Sequence, residues 1–267
     1  MAHGSDFASR LRWWRKRRGL SQLQLAVEAD VSQRHVSFLE VGRTKPSREM
    51  VLRLAVALAV PLRQHNALLL AAGFAPVWRE TNLDAPELAE IRSALDYVLG
   101  QQEPFPAVVV DRHWKLLKAN SATVRFVEFL VGPLPANASM NLADALVGPD
   151  VLRPFLLNWE EVVRYFIRTV EADAASDGSD ETAALLERLL SYPGVRSLLK
   201  ISILEESSGP VVPMHFRKDN VALSLFTTLT TLGTPQDITL QELRIESFFA
   251  MDDATATTFR GWVPQTK

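Results

Sequence analysis

A short run near the N-terminus combines a guanidinium group, a carboxamide and an aromatic ring at helical spacing. The outward positions of the helix that this spacing predicts are held by Gln33, Arg34, Ser37 and Phe38. In the major groove of DNA, arginine can bind guanine through two hydrogen bonds, glutamine can pair with adenine, and phenylalanine can pack on a thymine methyl. The run therefore predicts a short helix whose polar outer face suits the major groove. A buried core position is the alternative for Phe38.

Short amphipathic helices are expected to position these side chains. Capping residues and apolar spacing predict helices over residues 7–18, over 22 to about 29, after Ser32, after Ser47, and over 62–72. The charge of this segment is distinct from that of the rest. Residues 1–80 carry a net charge of +7 and residues 81–267 a net charge of −9. A basic segment favours a polyanionic partner, although a basic helical surface without such a partner is the alternative.

The segment from Gly19 to Ser47 resembles the phage-repressor (Cro/C1, or XRE) helix-turn-helix family, and the resemblance covers roughly residues 6–73. It is carried by a set of linked positions, which are Gln22, Leu25, Ala26, Val31, Val36, Leu39 and Glu40. The family usually has glycine in the turn, where this chain has Asp30. Aspartate can adopt the left-handed conformation at some cost, so the turn is still expected.

The resemblance implies a role for individual side chains. The implied base-facing residues are Gln33, Arg34 and Phe38. The implied phosphate contacts are Gln22, Arg43 and Lys45. The expected DNA-binding set is completed by Ser32, His35 and Ser37, for which a passive solvent-facing position is the alternative. Because one short helix reads few bases, we expect a homodimer on a two-fold symmetric operator in double-stranded DNA.

The sequence beyond the helix-turn-helix predicts a connecting helix and a second domain. The predicted boundaries are residues 1–75 for the DNA-binding domain, 76–100 for a linker and coupling helix, and 101–267 for the remainder. The coupling helix is expected to pack against both domains or a partner chain through an apolar stripe of Leu88, Ile91, Leu95 and Val98.

The second domain alternates between strand-like and helical patterns. The runs predicted as strands are Ala107–Val110, Trp114–Lys118, Val211–Phe216, Val221–Leu232 and Leu243–Met251. Helices lie between the second and third runs, with Asn120 capping the first of them and a polar connection predicted over Ala174–Asp180. The expected fold class is an all-α helix-turn-helix N-terminal domain plus an α+β C-terminal domain with an antiparallel sheet.

Several phrases of this domain resemble the ligand-binding domain of MmyB-like regulators, over roughly residues 100–260. They are Phe105–Asp111 with Trp114, Ala119-Asn120, Asn158-Trp159, Thr234–Leu243 and Glu246–Phe249. The resemblance implies a PAS-like fold, a role in sensing, and a pocket for a small apolar or fatty-acid-like ligand. A core that is packed solid would give the same apolar pattern and is the alternative.

Side chains from separate elements are predicted to line that pocket. The apolar candidates are Phe126, Phe129, Trp159, Val163, Phe166 and Phe226. A ligand carboxylate would need a partner at the mouth of the pocket, and the candidates are Arg164, Tyr165, His215 and Arg217. An ordinary surface or edge position is the alternative for each of these four.

Other kinds of chemistry find little support in the sequence. The chain has no cysteine, its five histidines lack close pairing, and no glycine-rich phosphate loop occurs, so we expect neither a metal nor a cofactor. The Ser197–Lys200 pattern is attributed to chance. A polar N-terminus and the lack of a membrane-length apolar run lead us to expect a cytoplasmic protein. Because no constellation of convergent polar residues is visible, we expect a regulator rather than an enzyme. The alternatives are a protein-interaction module or an enzyme fused to a DNA-binding domain.

Overall fold

The computed structural model describes residues 6–133, 140–200 and 211–263. These residues pack as two compact units. One unit extends to Thr81 and also contains the segment Thr234–Gln241, whereas the other comprises Asn82 through Gly233 and resumes at Glu242. The first unit therefore includes a segment that the sequence assigned to the C-terminal domain. None of the described helices has both the length and the hydrophobicity to cross a bilayer.

The first unit is built from short helices around an apolar core. In the part of the chain that the structure describes, its N-terminal helices are α1 (Phe7–Arg17), α2 (Gln22–Glu28), α3 (Gln33–Glu40), α4 (Arg48–Ala57) and α5 (Leu62–Ala71). The hydroxyl groups of Ser21, Ser32 and Ser47 each accept a backbone N–H from the first turn of the helix that follows. These side chains satisfy amide groups that have no partner within the helix. The predicted helix starts are thereby confirmed.

The turn between α2 and α3 contains a residue in the left-handed conformation, as the helix-turn-helix motif requires. Asp30 has φ of 52°, and its amide donates to the carbonyl of Val27. An aspartate in this left-handed conformation allows the chain to reverse between the two helices. Beneath the turn, Leu25, Ala26 and Val36 are almost completely buried. The helix-turn-helix predicted from the sequence is confirmed.

The second unit contains an antiparallel sheet in the order β2-β1-β5-β4-β3. Its strands are β1 (Ala107–Val110), β2 (Leu116–Ala119), β3 (Met214–Lys218), β4 (Val221–Thr230) and β5 (Arg244–Ala250). This order places β5, the last strand in sequence, at the centre between β1 and β4. The arrangement is the expected α+β fold of PAS-like type, with β5 flanked on both sides.

Helices precede, connect and follow the strands. Within the described ranges they are α6 (Ala89–Gln101), α7 (Ser121–Val131), α8 (Leu142–Val147), α9 (Trp159–Asp177), α10 (Asp180–Ser191), α11 (Val195–Leu198), α12 (Ile238–Glu242) and α13 (Asp253–Gly261). Asn120 caps α7 as predicted, its side chain accepting the amide of Thr123.

Several local expectations are corrected by the structure. Strand β3 begins at Met214 rather than at Val211 and continues to Lys218. Helix α9 continues through most of the predicted polar connection and ends at Gly178, whose left-handed conformation stops it. Strand β2 begins two residues late because Trp114 has φ of 64° and lies in a turn. In α6 the side chain of Val98 is 41% exposed, and Leu99 is buried in its place. When two adjacent residues of a helix are both apolar, the sequence does not decide which of them is buried until the surface that packs against the helix is known.

Candidate functional site

Helix α3 presents most of the predicted base-reading side chains outward. Ser32, Gln33 and Arg34 are exposed, whereas His35 and Ser37 are half-buried. The hydroxyl of Ser32 accepts the amide of His35 at 3.1 Å, which fixes the start of the helix. The first residues of a recognition helix are the ones that enter the major groove. Gln33 and Arg34 occupy that place, and their contacts with bases remain a prediction.

Phe38 supports two guanidinium groups. Its ring is half-buried rather than part of the core. The guanidinium carbon of Arg34 lies 5.1 Å from the ring centroid, and that of Arg43 lies 5.7 Å away. Cations at this distance from an aromatic face are attracted to it. Phe38 therefore contacts both a cation of α3 and a cation of the following loop, which the sequence did not indicate.

Glu40 joins three parts of the first unit. Only 1% of this residue is exposed, and its carboxylate accepts the Nε and Nη2 groups of Arg15 at 2.6 and 2.9 Å. The amide nitrogen of Gln22 donates to the same carboxylate at 2.8 Å. Burial alone raises the pKa of Glu40, but the hydrogen bonds from Arg15 and Gln22 and the positive charges of Arg15 and Arg12 together outweigh it and leave the pKa below its ordinary value.

This network determines the orientation of a predicted phosphate contact. The amide nitrogen of Gln22 carries two hydrogens, so one can donate to Glu40 while the other is directed elsewhere. Arg43 and Lys45, the other predicted phosphate contacts, are exposed in the loop between α3 and α4. The three residues thus lie at the start of α2 and in the loop after α3, and their contacts with a DNA backbone remain a prediction.

The second unit encloses an apolar cavity between the sheet and its helices, with a volume of about 210 Å³. The sheet side is lined by Val108, Phe216, Thr227, Leu229, Glu246 and Phe248. The helical side includes Phe126 of α7 and, from α9, Val162, Tyr165 and Phe166. Trp114 also lines the cavity, where it meets Phe166 edge to face at a centroid distance of 4.8 Å. The domain is therefore not packed solid at this position.

The cavity brings together some of the predicted ligand-binding residues. Phe126, Tyr165 and Phe166 line it. Phe226 lies on the other face of the sheet, stacked on Phe249, because side chains alternate along a strand and Thr227 takes the cavity face. Three further apolar candidates do not line the cavity. Phe129 packs on Trp262, and the indole N–H of Trp159 donates to the carbonyl of Leu146. Val163 is fully buried in the core.

The predicted partners for a ligand carboxylate are placed away from the cavity, except for Tyr165. Arg164 is buried, and its Nε donates to the carbonyl of Leu198 at 3.0 Å. His215 shares a hydrogen bond of 3.0 Å with Ser224, and Arg217 is exposed. Glu246 was missed by the sequence reasoning. Its alternation with Phe248 on β5 could have placed it on the same sheet face as that ring.

The segment Thr234–Gln241 attaches to the helical unit through side-chain hydrogen bonds. The carboxylate of Asp237 accepts both the amide and the hydroxyl of Thr81, at 3.1 and 2.6 Å. The side-chain oxygen of Gln241 accepts the amide of Leu62 at 2.8 Å. Leu62 is the first residue of α5, and the preceding Pro61 has no side chain that could accept this amide. Gln241 thus acts as the cap of a helix that lies far away in the sequence.

Comparisons with known proteins agree with both parts of this description. The chain is similar over residues 91–260 to the family described as "MmyB-like transcription regulator ligand binding domain" and over residues 11–64 to the "Helix-turn-helix" family. No curated protein matches the chain. The solved "Structure of an RNA-binding Light-Oxygen-Voltage Receptor" aligns with 12% identity and a TM-score of 0.30, and the alignment covers 94% of this chain and 60% of that one. A similarity at this level carries no inference about function.

Proposed function

The chain belongs to the family of MmyB-like transcription regulators, with a DNA-binding helix-turn-helix and a ligand-binding domain, and on this premise we propose that a small apolar molecule in the cavity controls sequence-specific DNA binding. The cavity domain binds this molecule without converting it. The protein acts in the cytoplasm, where it meets double-stranded DNA as a homodimer. Two copies of α3 then read the two halves of a symmetric operator, because one short helix contacts few bases.

The observation that carries the proposal is the connection between the cavity and the helical unit. Strands β4 and β5 line the cavity with Thr227, Leu229 and Phe248. The chain that joins these two strands contains Thr234–Gln241, which packs as part of the helical unit. A ligand that changes the spacing of β4 and β5 therefore displaces both ends of this connecting segment. The same segment is hydrogen-bonded to Leu62 and Thr81 of the helical unit.

This connection transmits a signal only if the ligand distinguishes two arrangements of the protein. A ligand with equal affinity for the DNA-competent and DNA-incompetent states shifts nothing, however tightly it binds. In this proposal the two arrangements differ in the hydrogen bonds of Asp237 and Gln241, which are formed in one arrangement and broken in the other. Typical coupling free energies between two sites are about 1–3 kcal/mol, which corresponds to about 5- to 150-fold in affinity.

We expect Asp237→Ala to uncouple the ligand from DNA binding. The substitution removes the acceptor of the Thr81 amide and hydroxyl, so the segment loses one of its side-chain attachments and keeps the backbone bond from Ile238 to Arg79. The increase in melting temperature caused by the ligand should persist, whereas the change in DNA affinity caused by the ligand should fall by at least half. Both are measured on the full chain, by thermal melting and by fluorescence anisotropy with a labelled duplex.

The control is Asp219→Asn in the exposed turn between β3 and β4, which removes one carboxylate outside the segment. It should leave both responses as in the wild type. An Asp237→Ala protein whose DNA affinity still responds fully to the ligand would show that the signal does not pass through this attachment.

A further inference from the structure

The polar content of the cavity is unusual for a site that binds a fatty acid. Among the described residues that line it, no lysine, arginine or histidine occurs, and the charged side chain is Glu246. The remaining polar side-chain groups are the hydroxyls of Thr123, Tyr165, Thr169 and Thr227 and the indole N–H of Trp114, which has no hydrogen-bond partner among the described residues. A carboxylate ligand would bring a second negative charge into an apolar enclosure without a cation to balance it, which is costly.

Glu246 lies in an apolar row across the middle of the sheet. Its direct neighbours in the pairing are Val108 on β1 and Leu229 on β4. All three line the cavity. Glu246 is half-buried and lines this cavity. A carboxylate at the centre of a sheet face, between two aliphatic side chains, has no structural partner in its row.

Among the described residues, no cation forms an ion pair with the carboxylate of Glu246. Arg244 precedes it on the same face of β5, but its guanidinium pairs with Asp173 of α9 at 2.6 Å. From β4, the hydroxyl of Thr227 donates a hydrogen bond to Glu246. From α9, Tyr165 is the titratable residue that lines the cavity. The guanidinium of Arg244 is paired with Asp173 and does not balance the charge of Glu246. A carboxylate can accept several hydrogen bonds, so Glu246 can still accept donors from a cation.

We propose that the cavity binds a small amphiphilic amine, with the ammonium group on the carboxylate of Glu246 and the apolar body against Phe126, Phe166 and Phe248. An ammonium group supplies donors and a positive charge to the one lining residue that needs both. The apolar body gains from burial against aromatic rings. This inference rests on the proposed ligand-binding function and specifies the chemical class of the ligand.

The protonation of Glu246 supports the same ligand class. Burial raises the pKa of Glu246 to about 7. Near neutral pH, an alkylammonium ion can therefore stabilise the ionised carboxylate and displace its proton. Because only the ionised form pairs with the ammonium, amine affinity should rise about ten-fold between pH 6 and pH 8. A neutral alcohol of the same length should show no such rise.

The test compares octylamine, octan-1-ol and octanoate, which share an eight-carbon chain, as ligands of the full-length protein in calorimetric titrations. The wild type should bind octylamine at least ten-fold more tightly than octanoate at pH 8. In Glu246→Gln, which keeps the shape of the side chain and removes an unpaired charge, octylamine affinity should fall to the level of octanol. Octanol affinity should not change.

The matched control is Glu171→Gln, which makes the same change in charge at an exposed position of α9 and should behave as the wild type. The inference is overturned if octanoate binds as tightly as octylamine, or if Glu246→Gln retains the preference for the amine. In either case the cavity still binds an apolar ligand, and the proposed function stands. If none of the three compounds binds, the proposed function fails together with the inference.

Discussion

Replacing Arg34 with alanine should weaken binding to the preferred duplex by about 1–3 kcal/mol and relax the preference at one base position. Arg34 is the second residue of α3, is exposed, and is held beside the ring of Phe38. A guanidinium that is already oriented loses little further freedom when it forms two hydrogen bonds to guanine. The measurement is a set of anisotropy titrations with the preferred duplex and with duplexes changed at single positions.

The comparison variant is Arg43→Ala, which removes the other guanidinium that contacts Phe38. Arg43 lies in the loop after α3, where a phosphate contact is expected, so its loss should weaken all sequences alike and reduce the salt slope by about 1. Arg48→Ala, at the exposed start of α4, controls for the loss of one positive charge. If Arg34→Ala, like Arg43→Ala, weakened binding to preferred and random DNA equally, the division into base and phosphate contacts would be contradicted.

Glu40→Gln should destabilise the helical unit by about 3 kcal/mol, the lower end of the cost of breaking a buried ion pair. Arg15 would keep its buried position without a balancing charge, since its side chain is only 12% exposed. Glutamine has one acceptor oxygen where the carboxylate has two, so the donors of Arg15 and Gln22 could no longer all be satisfied. Hydrogen exchange followed by mass spectrometry should show faster exchange in peptides from α1, α2 and α3, with unchanged exchange in β1, β4 and β5.

The pH dependence of this network has a defined sign. Because the pKa of Glu40 is lowered in the folded protein, its contribution to stability is fully present above the ordinary value of 4.5 and is lost as the pH falls through the lowered value. Glu28→Gln, at an exposed position of α2, is the control and should leave exchange unchanged. Exchange in α1–α3 that is the same for Glu40→Gln and Glu28→Gln would rule out a stabilising role for the ion pair.

Much of the helical unit could be predicted because its signals are local. Ser21, Ser32 and Ser47 cap helices through bonds that span three residues, and Asp30 adopts the left-handed turn next to them. Such contacts depend on adjacent sequence and not on the rest of the fold. The same holds for Asn120 at the start of α7. The final helix α13 was missed, although the cap of Asp252 on Thr255 is an equally local signal.

The cavity could be predicted only in part because strand register and long-range contacts decide its lining. Phe226 and Thr227 are adjacent in sequence, but the period of two along β4 turns one to each face. Glu246 faces the cavity because it shares a face of the sheet with its pairing neighbours Val108 and Leu229, and it lies at mid-sheet because β5 is the central strand. The attachment of Gln241 to Leu62 joins residues 179 positions apart. No periodicity within either segment indicates that contact.

The central claim is that occupancy of the cavity changes DNA affinity. The direct measurement is the affinity of the full-length wild type for a duplex selected from random sequence, with and without a saturating amount of the ligand. The ligand is whichever of octylamine, octanol and octanoate raises the melting temperature most. We predict a change in Kd of at least five-fold, matching a coupling of about 1 kcal/mol or more. A ligand that raises the melting temperature but leaves the Kd unchanged would contradict the account.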